Sequence, residues 1–346
     1  MPKADVTIMG AGIFGLSVAW SCVKRGAKVQ IIDPNGVGAG SSGGIVGALA
    51  PHTPENWNEK KEFQFQSLIM AEDYWTEVSE IGGQASGYAR LGRLQPIADD
   101  RALELAKARH EGAKSLWQGR AVWEIEEAKD HADWCPQSPT GLVICDTLSA
   151  RIHPRQACAA LVAALEAKGV SLVTEAAPLG QIVWATGWQG LLDLSDEMEK
   201  PVGNGVKGQA ILLKLDRNNL PQLFADALHV IPHADGTVAI GSTSERAFED
   251  PKATDSQLDD IHARAISAVP PLKDAEVLAR WAGVRPRAKS RAPMLGAHPT
   301  NPDQFIANGG FKIGFGMAPK AGEVMADLIL LAKDSIPEGF RPEASL

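Results

Sequence analysis

Residues 5–33, DVTIMGAGIFGLSVAWSCVKRGAKVQIID, limit what this chain can fold into more than any other stretch. A short apolar run at 5–9 has strand character, and Gly10, Gly12 and Gly15 follow it at the spacing G-x-G-x-x-G. The pattern predicts a helix over residues 13–24, with Leu16, Ala19, Trp20 and Val23 on its apolar stripe and Gly26 stopping it. A second apolar run at 29–32 ends on Asp33. Strand, tight turn, helix, strand and acid in this order form a dinucleotide-binding unit. Gly10 permits the sharp turn, Gly12 removes the side chain that would block a pyrophosphate, and Gly15 lets helix and sheet approach. The free amides at the helix start face the phosphates. Asp33 can accept a hydrogen bond from a ribose hydroxyl. Pro34 and Asn35 follow it with no cation to meet a 2′-phosphate, which argues against NADP.

The chain has 346 residues, enough for about two domains built around sizeable cores. Its 34 basic and 42 acidic residues are spread thinly and give a net charge of -8, so no basic arm suggests nucleic acid. No run of 18 apolar residues offers a membrane span. Cys22, Cys135, Cys145 and Cys158 lack C-x-x-C or metal-ligand spacing, and His229, His233 and His298 share no spacing with acids, so no metal site is expected. The cysteine pattern fits a reducing compartment, and the start of the chain reads as the first strand and helix rather than a leader. A cytoplasmic location is expected.

Further along, residues 36–47 are too rich in glycine and small side chains for regular structure, and Ser41 and Ser42 offer hydroxyls to a phosphate. Helices are expected at 59–80, 99–112, 155–168 (with Pro154 in the first turn), 255–269 and 319–333. Strands are expected at 88–94, 141–148, 170–173, 181–184, 206–215, 227–232, 237–241 and 305–307, with an irregular, Trp-bearing stretch at 117–139. Arg287, Lys289 and Arg291 alternate and would share one face of an extended strand. There is no G-x-S-x-G elbow and no P-loop.

Five pieces together give the chain a family resemblance: Gly10-Ala-Gly12-Ile13-Phe14-Gly15 with Asp33; Gly40-Ser41-Ser42-Gly43-Gly44; Trp184-Ala-Thr186-Gly187; Gly283-Val-Arg285-Pro286; and Gly309-Gly310-Phe311-Lys312-Ile-Gly314-Phe-Gly-Met-Ala-Pro319. In this order they resemble the FAD-dependent D-amino acid oxidase-like superfamily, with glycine oxidase and sarcosine oxidase among its members. The resemblance implies an α/β fold: a Rossmann-like FAD-binding domain interleaved with an α+β substrate domain on a mostly antiparallel sheet. The expected division is 1–58, 141–205 and 300–346 for FAD, with 59–140 and 206–299 for substrate.

By resemblance, Gly10, Gly12, Ile13, Phe14 and Gly15 hold the pyrophosphate, and Asp33 with Pro34 the adenosine side. Ser41, Ser42, Gly43 and Gly44 wrap the phosphates, and Thr186 and Gly187 form a turn near the cofactor. Gly310, Phe311, Lys312 and Gly314 approach the flavin. Arg285 matches an arginine, and Lys312 a lysine, that meets the substrate carboxylate. His52 follows the flavin loop and is a third catalytic candidate. No cysteine follows Pro286 where sarcosine oxidase attaches its flavin, so FAD is expected to be noncovalent. Asp33 stands where the family often has Glu, and the only tyrosines, Tyr74 and Tyr88, lie outside the matching pocket region. The stretch at 173–182 is short for the family.

The expected activity is oxidation of the C–N bond of a small amino acid or amine by hydride transfer to flavin. Hydrolysis of the imine follows, and oxygen or another acceptor takes the electrons. Glycine or a D-amino acid competes with an N-methyl or secondary amino acid as substrate. The alternatives outside this class are an NAD-dependent dehydrogenase and a flavin-binding protein without turnover; self-association is left open.

Overall fold

The structure is a computed structural model and describes residues 4–131 and 133–346. The chain begins β1 (Val6–Met9), α1 (Ile13–Lys24), β2 (Val29–Ile32), β3 (Ala48–Leu49), α2 (Glu59–Gly82), β4 (Arg93–Pro96), α3 (Asp100–Leu116) and β5 (Trp123–Glu127). It continues β6 (Leu142–Asp146), β7 (Ala150–Arg151), α4 (Pro154–Ala167), β8 (Ser171–Val173), β9 (Gln181–Trp184) and α5 (Gly187–Glu197). Then come β10 (Gly203–Lys214), β11 (Gln222–Ala225), β12 (Leu228–Pro232), β13 (Thr237–Gly241) and α6 (Ser256–Ala268). The last elements are β14 (Glu276–Ala288), β15 (Met294–Ala297), β16 (Phe305–Asn308) and α7 (Gly314–Leu331).

One sheet has the order β15-β16-β9-β1-β2-β8 and is parallel except for β15. Its central strand β1 is buried on both faces, which is why it reads as a continuous apolar run. Helices α1 and α7 pack against this sheet, and α2 and α4 pack onto those helices. Gly322 makes the α1–α7 approach possible, since a Cβ there would lie 2.5 Å from Ser17 O. Arg25 at the end of α1 then pairs with Glu323 and Asp327 of α7, each at 2.7 Å.

The second sheet has the order β14-β10-β13-β12-β11-β4-β6-β5, antiparallel except where β11 meets β4. Strand alternation sorts its residues onto two faces. Ile211, Leu213, Val230, Val238 and Ile240 form one core with Leu258, Ile261 and Ala265 of α6. The opposite face sends Ala210, Ile231 and Ala239 against Ile45 and Trp281, and so closes over the glycine-rich loop that follows β2. The α/β class, with a Rossmann-like sheet beside a mostly antiparallel one, is therefore what the chain forms.

Several local expectations need correction. The strand expected at 88–94 starts only at Arg93, and Ala89 contributes a single bridge to Arg151. The stretch expected to be irregular contains β5, held on β6 by Trp123 pairing with Asp146. The glycine turn at 187 opens α5 rather than ending a strand in a loop. The closing helix begins at Gly314, five residues before the expected start, and Pro319 lies inside it. In the basic run only Arg287 is on the strand; Lys289 reaches Leu346 O, and Arg291 sits at φ 63 in the turn before β15. The three cations therefore do not share a face.

Candidate active site

The turn between β1 and α1 is shaped by backbone contacts. Gly10 has φ 113, and a Cβ there would lie 2.9 Å from the Ala185 carbonyl carbon. Gly15 is pressed against Gly10 O. Gly12 caps α1 in an extended conformation that any residue can adopt (φ -83, ψ 176), without a side-chain hydrogen bond. What sets Gly12 apart is the space beside it: a Cβ would meet only Ser42 Oγ, at 3.2 Å.

Ser42, 8% exposed, lies in the short 3-10 turn Ser41–Gly43, and its Oγ accepts the Ile13 amide at 2.9 Å. That contact uses the hydroxyl as an acceptor and leaves its O–H free to donate. Asp33 Oδ2 accepts the Ala11 amide at 2.7 Å, and Oδ1 accepts the Asn35 amide at 2.9 Å. Pro34 is exposed at the rim. Arg155 fixes the loop from the α4 side by donating Nε–H to Gly43 O at 2.8 Å. A cavity of about 470 Å³ opens here between the 37–43 loop, Arg155, Cys158 and Trp281.

A second helix start lies next to the first. Gly314, at the head of α7, has only Ile13 Cγ2 near its vacant Cβ position, at 3.7 Å, and Ile313 before it provides no side-chain cap. Phe14 from α1 fills the space at Gly310, 3.0 Å from where a Cβ would be. Two helix N-termini whose own cap residues make no side-chain hydrogen bond thus lie side by side on one glycine-lined groove and make it positive there. Thr186 and Gly187 border it on the β9 side: Asn308 Nδ2 donates to Gly187 O at 2.8 Å, and Gly190 leaves room for the Thr186 side chain. Bare backbone, amide donors and a free hydroxyl along one groove fit the pyrophosphate and flavin of FAD.

Trp281, Gly283, Arg285 and Arg287 lie on the groove side of β14. The Trp281 ring crosses Gly283 and reaches Gly44, 3.2 Å from a Cβ there. Arg285 donates Nη1–H to Ser242 Oγ (2.8 Å), Nη2–H to Thr243 O (2.8 Å) and Lys207 O (3.1 Å), and Nε–H to Val206 O (3.4 Å). Four of its five donors are used, and burial lowers its pKa to about 10. A two-pronged grip on a carboxylate by Arg285 alone would need those bonds to open; one Nη1–H remains.

Phe311, at φ 45, sits among three cations: Arg287 Cζ at 5.5 Å, Arg285 Cζ at 5.6 Å and Lys312 Nζ at 5.8 Å from its ring centre. Lys312 is exposed, yet partial desolvation and the neighbouring Arg285 hold its pKa below the usual lysine value. His52 is tied elsewhere: its amide donates to Gln64 Oε1 at 2.7 Å, its Nδ1 meets the same oxygen, and burial lowers its pKa.

Three further residues enter the picture only in three dimensions. Phe224 and His229, paired on β11 and β12, lie on the groove face with rings 4.8 Å apart. Burial, followed by Arg93 and Lys312, pushes His229 down to about 3, so it is neutral. Arg287 stood out in the sequence only as part of a basic run. Among the described residues, no group of three or more His, Cys, Asp or Glu is placed to hold a metal, and no helix is long and apolar enough to cross a membrane.

A family model described as DAO, FAD dependent oxidoreductase, matches residues 5–328. Glycine oxidase of Pseudomonas aeruginosa is 34% identical over 372 residues, covering 94% of this chain and 94% of its own length. Glycine oxidase of Pseudomonas putida is 26% identical over 367 residues, covering 99% of both. The crystal structure of glycine oxidase from Geobacillus kaustophilus has TM-score 0.83 at 20% identity, covering 99% of this chain and 98% of that one. The chain belongs to the FAD dependent oxidoreductase family and is an enzyme that uses FAD to oxidise C–N bonds of amino acids or amines.

Proposed function

We propose that the substrate is a small amino acid, primary or N-substituted, bound through its carboxylate, and that dioxygen reoxidises the enzyme. The cationic surround of Phe311 carries this reading, because it lies on the groove face of β14 next to the head of α7. FAD, when bound, supplies the acceptor for a hydride from the carbon next to nitrogen, and water then hydrolyses the resulting imine to an oxo acid and free amine. Lys312, Arg287 and the remaining Nη1–H of Arg285 hold the carboxylate and so orient that carbon. His229, neutral and beside Phe224, lines the pocket without competing for the carboxylate. The α7 N-terminus stabilises negative charge on the reduced cofactor. Glycine as the substrate, and oxygen as the acceptor, are supported by similarity to proteins named glycine oxidase.

We read FAD as noncovalently bound. Cys22 and Cys158 are buried, and burial raises their thiols, and that of Cys145, to about 12, leaving poor nucleophiles. Acid precipitation should release all the yellow chromophore into the supernatant. Anaerobic titration of the holoenzyme with glycine, D-alanine, sarcosine and simple amines tests the substrate reading. Bleaching by carboxylate-bearing amines and not by methylamine is expected. Equal bleaching by methylamine would end the case for carboxylate anchoring, and peroxide formation on readmitting air checks the acceptor.

A further inference from the structure

The cations around Phe311 outnumber the charges that a simple amino acid brings. Arg285 and Arg287 stand two residues apart on one strand face, so their Cα atoms are separated by about 7 Å. Lys312 follows Phe311 directly, and all three charged groups lie 5.5–5.8 Å from its ring centre. The aromatic ring attracts cations but cancels none of their charge. The acid that acts on Arg285, Glu245, also lies 3.5 Å from Lys207. Among the described residues, none of Arg285, Arg287 and Lys312 makes a salt bridge, and neither the Arg287 guanidinium nor the Lys312 ammonium donates a hydrogen bond. Negative charge on the reduced flavin already has the uncapped start of α7. One substrate carboxylate would still leave like charges facing each other across a single ring.

We propose that the amine oxidised here carries two carboxylates, one held by Lys312 with the remaining Arg285 Nη1–H, the other by the Arg287 guanidinium. The substrate class is an N-carboxyalkyl amino acid, two acid arms on one secondary nitrogen, spaced to bridge the two arginine positions. This rests on the carboxylate-anchored reading above and narrows it. Hydride leaves one arm's carbon for the flavin, and the nitrogen lone pair forms the C=N bond with loss of the N–H proton. Added water then releases an oxo acid and a primary amino acid. Oxygen takes the two electrons and two protons as hydrogen peroxide.

The cleanest comparison is iminodiacetate against sarcosine, which differ by the second carboxylate, with glycine as a third substrate. With the holoenzyme, kcat/KM for iminodiacetate should exceed that for sarcosine by about tenfold or more, the value of one added charge pair. A readout independent of turnover is perturbation of the flavin spectrum by unreactive ether analogues. Diglycolate should bind about tenfold tighter than methoxyacetate. Arg287→Gln should collapse both ratios toward one, and Arg287→Lys, which keeps the charge but loses the fork, should retain part of each. A melt of each variant reports folding, and the wild-type ratios decide the matter if a variant fails to fold. Bleaching by sarcosine or glycine at least as efficient as by iminodiacetate overturns the dicarboxylate assignment and leaves carboxylate anchoring standing. No bleaching by any amine overturns both.

Discussion

Gly12→Ala separates the needs of the fold from those of the cofactor. The backbone at Gly12 suits alanine (φ -83, ψ 176), and the added methyl meets only Ser42 Oγ, at 3.2 Å, so a shift of a few tenths of an ångström accommodates it. Replacing a glycine cap by alanine costs up to about 1 kcal/mol, and the stiffer unfolded chain returns about 0.4–1 kcal/mol. The apoprotein should therefore melt within about 2 °C of wild type. FAD affinity should respond differently, because the methyl stands between the α1 amides and a pyrophosphate. Losing two charge-assisted hydrogen bonds, at about 1.5–3 kcal/mol each, weakens binding by at least 3 kcal/mol, on the order of 100-fold. Quenching of flavin fluorescence on titration with apoprotein measures this, and circular dichroism gives the melt. Gly10→Ala is the contrasting control: with φ 113 and the Ala185 carbonyl in the way, it should damage the fold itself. A Gly12→Ala protein that melts normally and binds FAD within about threefold of wild type would refute the placement of the phosphates against Gly12.

Three other outcomes follow from the site. Arg285→Ala strips donors from Val206 O, Lys207 O, Thr243 O and Ser242 Oγ, so urea melts should show a loss of about 2–4 kcal/mol, and unchanged stability would deny Arg285 its bracing role. Lys312→Met removes an exposed side chain bonded to nothing in the protein. Stability should stay within about 0.5 kcal/mol while KM for carboxylate substrates rises about tenfold; a fall in kcat alone would contradict anchoring. His233 is 0% exposed, with Nε2 donating to Ile45 O at 2.9 Å, and burial pushes its pKa to about 4. The unfolded chain takes its proton near pH ~6.5 and the folded chain only near 4. Stability present above pH ~6.5 therefore falls by up to about 1.4 kcal/mol per pH unit on acidification, levelling near 4. Replacing His233 with Asn should flatten urea-melt stability across that window by about one proton, and an unchanged slope would assign the acid loss to other groups.

The nucleotide half of the fold was legible because several signals coincide there. The helix boundaries Ile13–Lys24 follow from a glycine fingerprint, an apolar stripe and a glycine stop that all agree. Where one signal had to serve alone, it misled. Pro319 looks like a first-turn proline, yet α7 runs through it, and the Phe315 carbonyl forgoes an amide partner. Gly187 has φ 66 and looks like a turn, although α5 starts on it, with only Leu191 and Leu194 buried to mark its inner face. The substrate side was the least legible. Phe224 lies against His229, and Arg287 against Phe311, because separate strands and a turn share the groove face, and no local periodicity encodes those pairings. The Arg285 bonding partners were hidden for the same reason: Val206, Lys207, Ser242 and Thr243 reach it through sheet register.

The pairing of α1 with α7 sets a timetable for biogenesis. Helix α1 cannot be fully covered until α7 has been made, since Ser17 and Ser21 await Gly322, and Arg25 awaits Glu323 and Asp327. Such end-to-end closure is slow and keeps apolar surface uncovered during translation. A chain that stops before Gly314 lacks the α7 side of the groove, so loading of FAD is expected to wait for that residue.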